Sequence, residues 1–372
     1  MESKEYLTQQ IITYLGNKRA LLPLINAGIT YVKDELQKER LVTVDLFSGS
    51  GIVARNLKKH STKVIVNDLE GYSKIINECY LTNSRDFDFE KYEKYYKRIV
   101  KDMKKNSSGI IQELYAPKED TDIKKGERVF YTTRNAKFID SLRQAIDKIP
   151  KDYQKYFIAP LLSECSIKNN TSGVFKGFFK NSKTGIGQFG GNGENALSRI
   201  KSDIEIKRPI FSNFNSEFEV HQEDAKELIL KLKNLDLVYI DPPYNQHPYS
   251  SNYFMLNIIN DYKRPENISK VSGIPDNWNK SDFNKMSIAK ESLRFICEKA
   301  DSKFVIISFN NEGFIRPEEI KEMLSEIGVV TVIEEKYNAY RGSRNLKNRT
   351  KYVKEFLFIL DKRGNQYVQN DF

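Results

Sequence analysis

Four short apolar runs constrain the fold of this chain more than any other feature. Leu41–Phe47 (LVTVDLF), Lys63–Asn67 (KVIVN), Leu235–Asp241 (LDLVYID) and Lys303–Phe309 (KFVIISF) are rich in β-branched residues and end at polar or glycine-containing turns. Strands that are apolar almost throughout belong to a parallel sheet covered on both faces; a sheet with one wet face would alternate. Phe218–His221, Val329–Ile333 and Glu355–Leu360 complete a set of seven strands. Helical periodicity fills the intervals at Ala20–Gln37, Asp224–Lys233, Lys285–Lys299 and Pro317–Ile327. This alternation predicts an open α/β fold. The last two strands have no helix between them and are expected to form an antiparallel pair at one edge.

From Leu81 to Arg208 the pattern changes. The segment is rich in Lys, Tyr and Asn, with glycines at Gly185, Gly187, Gly190, Gly191 and Gly193. A long insertion between two strands of a compact sheet usually has its own function. Residues 1–80 and 209–372 are therefore expected to form one catalytic domain, and 81–208 an inserted recognition lobe.

Sixty Lys and Arg residues oppose fifty acids, for a net charge of +10. Clustered cations on such a chain can bind nucleic-acid phosphates by releasing counterions, or simply keep the protein soluble. No apolar run is long enough to span a bilayer, and the first residues lack the apolar core of a secretion signal. Cys79, Cys165 and Cys297 show no metal-ligand spacing. The expectation is a cytoplasmic protein without a metal or a membrane partner.

Three strand ends carry the chemistry. Asp45-Leu-Phe-Ser-Gly-Ser-Gly51 follows the first strand. Its glycines permit a sharp turn and close approach of backbone to a ligand, although an ordinary strand-to-helix turn reads the same way. The second strand ends in Asn67-Asp68, where a carboxylate can accept hydrogen bonds from a ribose diol or cap a helix. Asp241-Pro-Pro-Tyr244 ends the fourth of the seven strands. Two prolines there fix the backbone at the ligand edge of the sheet. The reaction that needs this set is attack by an aromatic amine, such as adenine N6. Asp241 and the Pro242 carbonyl can each accept one amine hydrogen, pulling electron density onto nitrogen as it becomes cationic. Tyr244 can stack on the base. The competing reading is a proline-stiffened turn with a capping aspartate.

As a set, these motifs resemble the Dam-like (alpha group) DNA adenine-N6 methyltransferases, of the kind found as type II restriction–modification methylases. The match runs in order through Tyr14-Leu-Gly-Asn-Lys18-Arg19, the Asp45–Gly51 turn, Asn67-Asp68, His221-Gln-Glu-Asp224 and Asp241–Tyr244. The family often has Glu-Pro-Phe before the glycines; Asp45-Leu46-Phe47 keeps the acid and the phenylalanine. The resemblance implies a class I, Rossmann-like fold and S-adenosylmethionine as cofactor. Tyr14 and Lys18 would meet its methionine end, with Lys18 on the carboxylate. The turn of Asp45, Phe47, Ser48, Gly49, Ser50 and Gly51 would cradle the methionine and sulfonium. Asp68 would take the ribose, and Asp224 the adenine amine. Asp241, Pro242, Pro243 and Tyr244 would bind and activate a flipped target adenine. The implied partner is double-stranded DNA, with a cognate restriction endonuclease acting independently; a monomer is expected because a methyl group can be added to one strand at a time without two-fold symmetry.

Candidate phosphate contacts are Arg341, Arg344 and Arg349, in an acid-free run between the last two strands, and Lys176, Lys180, Lys183 and Arg199 around the glycine cluster. Phe175, Phe178, Phe179 and Phe189 are interleaved with the latter, and suit base stacking or a small local core. His247 is not cast as a general base, because the methylated amine becomes a strong acid unaided. An RNA adenine methyltransferase more often begins the four-residue motif with Asn, and a cytosine-N4 enzyme with Ser. A cytosine-C5 enzyme needs a cysteine on a proline-led loop, which is absent. A catalytically silent DNA-binding subunit fits poorly with intact motifs.

Overall fold

The computed structural model describes residues 2–103, 108–243, 246–338 and 352–366. Seven strands form one sheet: β1 (Leu41–Asp45), β2 (Ser61–Asn67), β3 (Glu217–His221), β4 (Leu235–Ile240), β5 (Ser302–Asn310), β6 (Val329–Asn338) and β7 (Tyr352–Asp361). Their order is β3-β2-β1-β4-β5-β7-β6. The first five pair in parallel, and β7 runs antiparallel to both β5 and β6. This seven-stranded, mostly parallel sheet fits the class I methyltransferase fold expected from the resemblance.

The terminal antiparallel pair is present, with one difference from simple edge extension. The last strand inserts between β5 and β6. Its sequence explains the placement: Leu357, Phe358, Ile359 and Leu360 are all buried and cover both faces. In contrast, β6 carries Glu334, Glu335 and Lys336, all exposed or partly so, and serves as the wet edge that resists further pairing.

The two faces alternate residue by residue. Val238 and Ile240 of β4 point into one core, with helices Ala225–Lys231, Met286–Lys299 and Pro317–Ser325. Leu237 and Tyr239 point into the other, with helices Leu22–Leu36 and Ile52–Leu57. The period of two in the strands thus sorts one continuous apolar run into two layers. Gly28 lets the first of these helices lie close: a Cβ there would meet Leu357 Cδ2 at 2.5 Å.

A third core, rich in aromatic rings, joins helix Gly71–Tyr80 and helix Phe254–Asp261 to helices Phe89–Met103, Thr133–Ile146 and Lys151–Ile167. Most of segment 81–208 therefore shares its core with elements flanking the sheet. Val129, Phe189 and Ile200 form a small cluster apart from it. Among the described residues, no helix is long and apolar enough to cross a membrane.

Candidate active site

Chain direction out of β1 places β2 on one side and β4 on the other, so the carboxyl ends of these strands part at the switch point and leave a crevice. The crevice is a cavity of about 990 Å³, partly continuous with solvent. Asp45, Phe47, Ser48, Gly49 and Ser50 line it together with Tyr14, Lys18, Asp68, Asp224, Asp241, Pro242 and Pro243. The separated motifs of the sequence thus meet at one place.

Asp45 ends β1 opposite Val66 of β2 and Tyr239 of β4. Its side chain is buried, and neither carboxylate oxygen has a hydrogen bond of normal geometry. Burial, and then the charges of Asp241 and Asp68, push its pKa well above the usual carboxylate range; the N–H groups of Ala54 and Phe47 offset only part of this. Left so, the carboxyl is held in its neutral form, and a cation brought beside it would favour ionisation.

The turn that follows requires its glycines. Gly49 and Gly51 have φ of +50° and +74°. A Cβ on Gly49 would lie 2.7 Å from the Tyr14 ring, and one on Gly51 would lie 2.5 Å from Asn77 Oδ1. The Gly49 N–H donates to Asp68 Oδ2 at 2.7 Å, and the Glu70 N–H to Asp68 Oδ1 at 2.9 Å. Asp68 is thereby held across the gap between β1 and β2. Burial, then the neighbouring Glu70, raises its pKa to about 6. It does not cap helix Gly71–Tyr80, whose N-cap residue is Glu70. Asp224 does cap a helix, accepting from the Lys226 N–H at 2.8 Å, while it also lies on the cavity wall.

Asp241 follows β4. Lys18 Nζ lies 3.2 Å from Asp241 Oδ1 and donates to Glu355 Oε1 of β7, which also accepts from Ser308 Oγ at 2.9 Å. The Lys18 ammonium thus stands on the cavity wall beside two carboxylates of the protein. Burial raises the Asp241 pKa to about 6, with Lys18 working against the rise and Glu355 adding to it. Tyr14 stacks against both Tyr249 and Tyr253, with ring centroids 4.9 and 4.8 Å away, and those two rings lie 6.0 Å from each other. Tyr244, Arg341, Arg344 and Arg349 lie outside the described residues.

Around the glycine cluster, Lys176 and Lys183 are exposed, and Lys180 Nζ sits 5.0 Å above the Phe178 ring. Lys176 Nζ approaches His247 Nδ1 at 3.3 Å. Arg199 donates to the backbone carbonyls of Ile167, Asn169 and Thr171, and so closes the loop it was expected to project from. Phe175 packs near Phe130 and Phe254, and Phe189 is buried beside Val129 and Ile200. For these two rings the local-core reading applies. Sequence reasoning missed Glu355 and Glu70. Glu70 is buried, accepting from Ser250 Oγ, Asn257 Nδ2 and Asn279 Nδ2, and it ties the second strand end to the segments after Asp241. The available signal was an acid inside a mostly apolar strand in one case and two residues after Asp68 in the other.

A family model described as D12 class N6 adenine-specific DNA methyltransferase matches residues 14–323. The chain belongs to this family. The type II methyltransferase M.NlaIII of Neisseria lactamica is 26% identical over 359 residues, covering 94% of this chain and 99% of that protein. The type II methyltransferase M.CviAII of Paramecium bursaria Chlorella virus 1 is 27% identical over 358 residues, covering 94% and 98%. The type II methyltransferase M.FokI of Planomicrobium okeanokoites is 26% identical over 360 residues; this chain spans about half of its length, 52%. Asp241, Pro242 and Pro243 set a carboxylate and a proline-fixed carbonyl at the end of a central strand, on the wall of this cavity. The D12 match ends before β6 and β7, so Glu355 lies outside it.

Proposed function

We propose that this adenine-N6 DNA methyltransferase uses S-adenosylmethionine to methylate one short recognised sequence in duplex DNA, as the modification half of a type II restriction–modification pair. The alpha-group assignment belongs to the same proposal. The observation that carries it is the convergence of Asp45, Asp68, Asp224 and Asp241 on one cavity at the switch point. The acids present suit this cofactor. Asp45, buried and without a partner, would take its ammonium; Asp68 would take the ribose hydroxyls; Asp224 would take the adenine amine. The bound cofactor supplies an electrophilic methyl group. Asp241 and the Pro242 carbonyl accept the two hydrogens of the target amine, orient its lone pair and stabilise the positive charge that develops on nitrogen. Tyr244 stacks on the flipped base.

Segment 81–208 is proposed as the target-recognition insertion, and Lys176, Lys180, Lys183, Arg341, Arg344 and Arg349 as phosphate contacts. The relatives' names, type II methyltransferase among them, support the restriction–modification setting. The test is methyl transfer from labelled S-adenosylmethionine to unmethylated genomic DNA, with base analysis and single-molecule sequencing. N6-methyladenine in one recurring sequence is expected. Label in RNA and not in DNA would overturn the duplex-DNA reading.

A further inference from the structure

We propose that Glu355 is a positioning residue for methyl transfer: it draws the Lys18 ammonium off Asp241, so that the Asp241 carboxylate stays open to the adenine amine. This rests on the reading of Asp241 as the amine's acceptor.

The geometry separates the two carboxylates around Lys18. The ammonium bonds directly to Glu355 Oε1, and Ser308 Oγ donates to that same oxygen, fixing it in place. Asp241 Oδ1 stands at ion-pair distance, 3.2 Å, but without the alignment of a hydrogen bond. A carboxylate whose lone pairs are already engaged by a buried ammonium is a poorer acceptor for an incoming amine. With Glu355 neutral, the only carboxylate left beside Lys18 among the described residues is Asp241, and the ammonium would close on it.

Charge balance acts in the same direction. Side-chain exposure is 4% for Lys18, 0% for Glu355 and 18% for Asp241. Two carboxylates and one ammonium in this buried group leave one net negative charge beside the place where the amine nitrogen becomes cationic. Asp241 alone with Lys18 would be a neutral pair. Among the described residues, the other ionisable groups coupled to Asp241 are Asp45 of β1 and Tyr239 of its own strand, and neither is a cation.

Glu355→Gln keeps the shape and removes the charge. Single-turnover methyl transfer at neutral pH should fall about 100-fold, the size of effect seen when one preorganised electrostatic contact is lost. The acid limb of the rate profile should move about one pH unit lower, because losing a negative neighbour lowers a carboxyl pKa. Carbon-13 titration of Asp241 in the protein alone should show the same displacement without turnover. Glu355→Asp, which restores the charge, should return the acid limb to its wild-type position. Asp241→Asn is run in parallel: substantial turnover there refutes the acceptor reading itself. An inactive Asp241→Asn beside a Glu355→Gln with wild-type rate and an unmoved limb overturns the role of Glu355 alone. If Glu355→Gln loses its native melt, Ser308→Ala decides. Loosening Glu355 should slow transfer about threefold to tenfold with the cofactor KM unchanged, in keeping with one lost hydrogen bond; an unchanged rate overturns the proposal.

Discussion

The two ends of β4 each carry an aspartate, and the two are treated in opposite ways. Asp236, at the start of the strand, has every oxygen engaged. Its Oδ1 accepts from Lys38 at 2.8 Å and Lys303 at 3.0 Å, and its Oδ2 accepts from the Val42 N–H at 3.0 Å. Burial opposes its ionisation, but these donors outweigh it and hold its pKa below the usual range. Asp241, just past the other end, is pushed up to about 6 and lacks an aligned donor on Oδ1. One end of the strand satisfies its charge and gains stability. The other withholds satisfaction, which suits the acceptor role proposed for it and the usual trade of stability for function at an active site.

The sharpest way to break this contrast is Asp241→Asn. Methyl transfer should fall about 10³-fold or more, measured by label incorporation, while the melt of the donor-free protein at pH 7.5 should not fall. An activity loss matched by a comparable loss of stability would make Asp241 a second Asp236. Asp45→Asn comes next: cofactor affinity by calorimetry should weaken about tenfold to 100-fold, the worth of one charged hydrogen bond. The same change should flatten the pH dependence of stability. Asp45 has a raised folded pKa, so the stability tied to its neutral form is present in acid and lost as pH rises above the ordinary carboxylate range.

Asp236→Ala should do the reverse, costing about 1–3 kcal/mol in urea unfolding with turnover unchanged, since Val42 loses its acceptor and two lysines relax to solvent. Because the Asp236 pKa is lowered on folding, its contribution is present above the ordinary carboxylate range and is lost as pH falls. The two ends of β4 should therefore give stability slopes of opposite sign in acid. The smallest effect is at the periphery. Lys176→Ala with Lys183→Ala should weaken DNA binding uniformly across sequences and lower the salt slope by about 1 to 2; an unchanged slope removes these lysines from the interface.

How legible each part was follows from the range of the forces involved. Strands and helices were readable because their apolar period is local: Leu237 and Val238 face opposite layers whatever lies elsewhere in the chain. Asp45, Asp68 and Asp241 were readable because each stands at a strand end, where the fold brings ligands. Glu355 was not, since its meaning depends on Lys18, 337 residues away in sequence. Nor could the sequence show that Arg199 would spend its guanidinium on three carbonyls, or that Phe175 and Phe189 would be buried. Basic and aromatic residues on glycine loops look the same whether they face a groove or close a core.

The position of β7 has a consequence for the order of events in folding. It comes last among the seven strands in sequence, yet among the described residues it is the only strand beside β6 and one of the two beside β5. Until it docks, β6 has no place in the sheet, and the far side of β5 is an unpaired edge. Glu355 arrives on that same strand. During synthesis, the crevice between β1 and β4 can be shaped before β7 leaves the ribosome, while Lys18 still has no second carboxylate. Catalytic competence should therefore appear in one late step, when a long-range strand pairing closes, and not in proportion to the length of chain made.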